Sequence, residues 1–290
     1  MTSTTTTSDR KVPTRRISFE ASLRDLPKHF AAEGDLIMSH VAASLSAVFP
    51  DGEDFFVRSV RNHRDQVTDP ALKRDVAGFI GQEAMHGREH RALNDRLDQL
   101  GYPTKRFERI TKWGLAQREK LMSPKANLAA TAALEHYTAT LAELLLRDEE
   151  ARALFGHDTL RDLFLWHALE ESEHKAVAFD VYKAVGGSER TRVWTMNFIT
   201  IAFLGGMTLQ VIISMLGDPA TRRPRTLWAS LKRLRRSPFL TREVWRTLRD
   251  YNRPDFHPDD HDNTELMLQW RAELFGAEGR LNDKLATSAA

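Results

Sequence analysis

The 290-residue chain contains no cysteine. Iron–sulfur clusters, thiolate metal sites, disulfides and cysteine nucleophiles are therefore excluded, and any metal must be held by imidazole and carboxylate groups. The first ten residues, MTSTTTTSDR, lack the apolar run of a secretory signal, so a cytoplasmic protein with a disordered start is expected. Short runs alternating apolar and polar residues are absent, which argues against a sheet. Residues 193–217 carry no charged side chain at all. What is present is a 41% hydrophobic composition, enough for a full core, and a net charge of +2 that hides strong local asymmetry.

Apolar stripes of helical period run from Leu23 to Val185, punctuated at Pro50-Asp51-Gly52, Asp69-Pro70, Gly101-Tyr102-Pro103, Ser123-Pro124, Gly156 and Gly186-Gly187. Ser123-Pro124 and Asp69-Pro70 have the form of an N-cap followed by proline at the first helical position. The spacing predicts helices over 32–48, 51–66, 70–100, 105–121, 124–147 and 157–185, an all-α bundle with no evident internal repeat. The expected organisation is a disordered tail over 1–22 and a metal-binding bundle over 23–187. An apolar helix over 188–217 follows, then basic and amphipathic helices over 218–290, the last near 263–276.

Two short stretches carry the chemistry. Each helical residue turns about 100°, so Glu83, His86 and His90 in GQEAMHGREHRALN fall within about 60° of one another, and so do His167, Glu171 and His174 in LWHALEESEHKAV. On this geometry Glu170 lies beside the second stripe and Glu173 points to solvent. A Glu-x-x-His pair lets both side chains reach one ion. Two such helices, with one Glu from each of two more, make the dinuclear site of a ferritin-like four-helix bundle. Glu53, opening a helix in PDGEDFFVRSVR, and Glu135, deep in LAATAALEHYTATLAELLL, supply those carboxylates in the required chain order. For Glu53 the competing reading is an acidic residue complementing a helix dipole. An unpaired Glu135 amid Ala and Leu would be costly to bury. His90 reads as a hydrogen-bonded core residue or as a support behind the ligands, and His136, about 100° round from Glu135, as structural or supporting.

With FPDGEDFFVRSVR, GQEAMHGREHRALN, ALEHYTA and WHALEESEHKAVAFDVY, the chain resembles the bacterial family named predicted metal-dependent hydrolases, which implies a ferritin-like fold over about residues 20–270. The run His167-x-x-x-Glu171-x-x-His174 is similar to a helix of three-histidine di-iron arylamine oxygenases, which implies His167 as a seventh ligand.

The sulfur-free donor set suits two ions of iron, with manganese or zinc as alternatives. Three functions compete: a di-iron oxidase or oxygenase acting on an apolar or aromatic small molecule with an external electron donor; a hydrolase using a metal-activated water, with His90 or His136 as proton shuttle; and metal storage or detoxification.

The uncharged 193–217 segment is long enough to span hydrocarbon. Its alternatives are a helix buried on the bundle or across a homodimer, or one dipping into a single leaflet. Arg222 to Arg246 then carries nine Lys/Arg against one acid, Glu243, interleaved with Trp228, Leu231, Leu234, Phe239, Leu240 and Trp245. That pattern fits anionic headgroups at the inner membrane face. No nucleic-acid reading motif accompanies it.

Overall fold

The computed structural model describes residues 12–286. Helices α1 (Leu36–Arg61), α2 (Pro70–Gln99), α4 (Pro124–Arg147) and the consecutive α6 (Asp158–His174) and α7 (Val177–Ala184) form an all-α bundle, with α3 (Thr104–Leu121) laid against α1 and α2 and the short α5 (Glu149–Ala153) after α4. Asp69 and Ser123 cap α2 and α4 as their sequence predicts, each side chain accepting a first-turn backbone N–H and each followed by proline. No strand forms among the described residues beyond an isolated bridge between Ile17 and Leu285.

Two expected boundaries differ. The break at Pro50 does not occur, and α1 runs through it. A proline leaves the carbonyl four residues earlier without its helical donor. Here that carbonyl, Ser46 O, accepts instead from Asn94 Nδ2 of α2 at 3.1 Å, so the helix continues. The helix expected over 157–185 is divided at Lys175-Ala176, where Lys175 turns its ammonium to His261 O and Asn263 Oδ1.

The expected disordered tail is contradicted over residues 12–22; residues 1–11 lie outside the described residues. Ile17 and Phe19 are fully buried, and the segment forms a strap along α2. Gly78 and Gly81 permit its approach, because a Cβ at either would collide with Val12 or Thr14. After the bundle, α8 (Glu189–Leu216) lies on α1 and α4, α9 (Pro224–Leu234) packs on α1, α10 (Arg242–Asp250) on α4, and α11 (Thr264–Phe275) on α6.

The apolar core falls into two clusters. One contains Leu93, Leu97, Leu145, Leu163 and Leu169, the other Phe55, Phe79, Ala133, Val177 and Tyr182. Along α2 and α6–α7 the chain passes from one cluster to the other across Glu83 and Glu171, while Glu135 on α4 lies within the second cluster, between Ala133 and Tyr137. The polar belt therefore sits mid-bundle, between two dry ends.

Candidate metal centre

Four carboxylates and three imidazoles converge in that belt. Glu53 comes from α1, Glu83 and His86 from α2, Glu135 from α4, and His167, Glu171 and His174 from α6. None is more than 4% exposed. Donor atoms of Glu53, His86 and His167 lie within 4.8 Å of one another, and so do those of Glu83, Glu171 and His174. Glu135 Oε2 stands 3.4 Å from His174 Nε2. Glu83 and Glu171 reach both groups. Glu83 Oε1 is 3.6 Å from His86 Nδ1 and 3.1 Å from His174 Nε2, while Glu171 is 2.9 Å from His167 Nε2 and 3.6 Å from His174 Nε2.

The hydrogen bonds behind the histidines determine what they present to this centre. Gln82 Nε2 donates to Pro13 O and Glu173 Oε2, so Gln82 Oε1 accepts from His174 Nδ1–H at 2.9 Å and Nε2 is turned to Glu83, Glu135 and Glu171. His86 Nε2–H donates to Glu170 Oε2 at 3.1 Å, which leaves Nδ1 facing Glu83 and Glu171. The third case runs through a longer chain. Asn94 Nδ2 donates to Ser46 O and Glu108, and Ser46 Oγ–H donates to Asn94 Oδ1. Ser46 Oγ must then accept from His90 Nδ1–H, and His90 Nε2 from His167 Nδ1–H at 2.8 Å. His167 Nε2 is turned inward, hydrogen-bonded to Glu171 Oε1 at 2.9 Å and 3.8 Å from Glu53 Oε1. Each of the three histidines thus has its far nitrogen held as a donor and its near one offered as a ligand, the arrangement by which outer partners orient metal-binding imidazoles.

The inner atoms lack partners accordingly. Both carboxylate oxygens of Glu53, Glu83 and Glu135, Oε2 of Glu171, Nδ1 of His86 and Nε2 of His174 are buried without a hydrogen bond. Such orphans are rare in folded proteins and expensive. Without an ion, protons take its place. Burial and the neighbouring Glu83 raise the Glu53 carboxyl well above its ordinary range, and burial with Glu171 pushes Glu135 up to about 8. Burial alone would lower His86, but its hydrogen bond to Glu170 and the nearby carboxylate of Glu83 outweigh it and hold the ring up at about 10. His90 is kept neutral, its pKa lowered well below the usual value by burial and by His167. The donor set fits metal cations: four carboxylates to balance positive charge, and three imidazoles whose inner nitrogens are turned to those carboxylates. Phe49, Phe79 and Trp166 line it, with ring centroids 4.8 Å from His167, 5.0 Å from His174 and 5.0 Å from His86.

All seven residues expected as ligands meet here. His90 lies directly behind His167. His136 does not join them: its Nε2–H donates to Thr247 O at 2.9 Å and its ring packs on Tyr251 and Phe256, where it docks α10. The placement of Glu173 in solvent is contradicted. Glu173 is 2% and Glu170 0% exposed, because α6 is covered on every side, and both carboxylates pair with Arg15 of the strap at 2.7–2.8 Å. Arg271 of α11 also reaches Glu173. Helical periodicity missed this outer layer of Arg15, Gln82, Ser46, Asn94, Glu170 and Glu173. The one available signal was the density of three glutamates in a helix otherwise apolar.

No curated protein and no solved structure matches the chain. A family model described as predicted metal-dependent hydrolase matches residues 13–262, a span that takes in the strap and every one of the seven converging donors. With that match over most of its length, and a buried donor cluster of the kind metal dependence requires, the chain belongs to the predicted metal-dependent hydrolases.

Proposed function

We propose that the cluster binds two metal ions, most suitably iron, in a ferritin-like arrangement, and that the protein is an oxygen-activating enzyme that oxidises an apolar or aromatic small molecule. On this reading Glu53, His86 and His167 would hold one ion, Glu135 and His174 the other, and Glu83 and Glu171, within reach of both groups, would serve either. The observation that carries it is the set of buried carboxylate oxygens without hydrogen bonds, faced by His86 Nδ1 and His174 Nε2, which make none either. Four carboxylates balance two divalent ions without residual charge, and bridging carboxylates tolerate a change in oxidation state by shifting their binding mode. Iron there supplies electrons to dioxygen, with an external donor restoring them. The chain's own contribution is positional. The outer hydrogen bonds hold the imidazoles, the two apolar clusters exclude water, and Phe49, Phe79 and Trp166 favour a nonpolar reactant.

Hydrolysis is the second reading, and the family's description favours it. A metal held by these residues would supply an activated water to attack the substrate, with His90 acting only to position His167 from behind; manganese or zinc would then suffice. Storage or detoxification of metal is the third. Iron content and oxygen uptake on reduction separate the three. Uptake coupled to oxidation of an added aromatic supports the oxidase; turnover of esters or phosphates by the zinc-loaded protein, with no oxygen uptake by the iron-loaded one, refutes it.

A further inference from the structure

The surface that the chemistry leaves unexplained is α8. Its inward stripe, Arg192, Met196, Ile199 and Ser214, rests on the bundle, while Trp194, Phe198, Ile201, Leu204, Leu209, Ile212 and Leu216 are exposed. From Trp194 to Leu216 this uncharged outer stripe runs for roughly 33 Å at the helical rise. Isolated exposed apolar residues are ordinary, but a continuous stripe of this length marks an interaction site.

We propose that the outer faces of α8 and of the basic helices after it bind an anionic lipid bilayer, with α8 lying flat among the headgroups. This stands apart from the chemistry proposed above. Three observations select the occupant. First, both ends of α8 are fastened to the same body. The Arg192 guanidinium, fully buried, donates to Tyr251 O and to Arg253 O. At the other end Ser214 Oγ meets His40 Nδ1 at 2.7 Å, and Asp218 accepts from His29 at 2.9 Å and pairs with Lys28. A helix by length and composition able to span a membrane is thereby held along the bundle surface instead.

Second, α9 and α10 follow with exposed Trp228, Leu231, Leu240 and Trp245 among Arg222, Arg223, Arg225, Lys232, Arg235, Arg236, Arg242 and Arg246, none of which makes an ion pair among the described residues. Apolar and aromatic side chains flanked by uncompensated cations match the chemistry of an anionic headgroup layer. Third, a second copy fits poorly. Arginines stand at both ends of α8, Arg190 at one and Arg222, Arg223 and Arg225 at the other, so a two-fold pairing of the stripes sets like charges together. The inner side of α8 lies on α1 and α4, the helices that carry Glu53 and Glu135, and Phe203 of α8 packs on Tyr137 at 5.6 Å.

The test is co-sedimentation of the full chain with vesicles of phosphatidylcholine, with and without phosphatidylglycerol. Binding to the anionic vesicles, with a blue shift of tryptophan emission and loss at high salt, is expected. The triple variant Ile201→Ser/Leu209→Ser/Ile212→Ser should lower partitioning by about tenfold or more with unchanged circular dichroism and metal content. Arg222→Gln/Arg223→Gln/Arg225→Gln should abolish the preference for the anionic lipid. Absence of binding to either vesicle overturns the proposal. So does a lipid-free dimer that the triple variant dissociates, which assigns the face to a second copy. Binding that survives salt and alkaline carbonate and yields only to detergent overturns the flat orientation.

Discussion

Replacing Gln82 by Leu removes one side chain that serves the metal centre without touching an ion. Its amide accepts from His174 Nδ1–H at 2.9 Å and donates to Pro13 O at 3.0 Å and to Glu173 Oε2 at 2.7 Å. Leucine has a similar volume, so the main loss is three hydrogen bonds at about 1 kcal/mol each, with about 1–3 kcal/mol more from the buried His174 nitrogen left unpaired; unfolding free energy should fall by about 4–6 kcal/mol. Glu173 keeps Arg15 and Arg271. The sharper effect is on His174. With nothing accepting from Nδ1–H, the ring is no longer fixed in the orientation that turns Nε2 to Glu83 and Glu135. Metal affinity should fall by about 10–100-fold, the usual effect of losing an outer partner. Chelator-competition titration gives the affinity and urea denaturation of the chelated protein gives the stability. A loss of stability with metal affinity unchanged within about twofold would refute the idea that outer hydrogen bonds orient the imidazoles of the centre.

Metal loading at pH 7 should release protons, because Glu53 and Glu135 are raised and His86 sits at about 10 without an ion; calorimetry in buffers of different ionisation enthalpy measures them, and zero release would contradict the site. Arg15→Ala should destabilise by about 3 kcal/mol in chemical denaturation, since it leaves Glu170 and Glu173 as buried carboxylates short of a partner. Arg15→Lys should recover only part of this, because an ammonium does not fork between the two. His40 and His136 are each lowered to about 4, mainly by burial, with Asp218 opposing at His40 and the Thr247 carbonyl at His136. Between about 6.5 and 4 the unfolded chain takes up protons the folded one refuses, so their contribution is complete above pH 6.5 and declines as pH falls. Urea midpoints should drop across that window, less steeply in His136→Gln.

The convergence of the seven donor residues was legible because they obey helical periodicity. Glu-x-x-His repeats on one stripe, and Glu135 sits among small apolar residues where no solvated role exists. What escaped prediction depends on contacts distant in sequence. Pro50 looked like a helix stop because proline removes a local donor, and only Asn94, from another helix, makes the continuation tolerable. Glu173 looked solvent-exposed because its angle lies off the ligand stripe, yet α6 has no solvent face once the strap and α11 close over it. The strap itself shows no periodicity. Its path is set by Gly78 and Gly81 and by Arg15 meeting two buried carboxylates, none of which a local pattern encodes.

The central claim concerns metal stoichiometry. Elemental analysis of protein purified without chelator should find about two ions per chain in the wild type and clearly fewer in Glu135→Ala and in His174→Ala, with the helical circular dichroism retained. Full occupancy in both variants, or a wild-type chain that holds no metal even after loading, would contradict the site described.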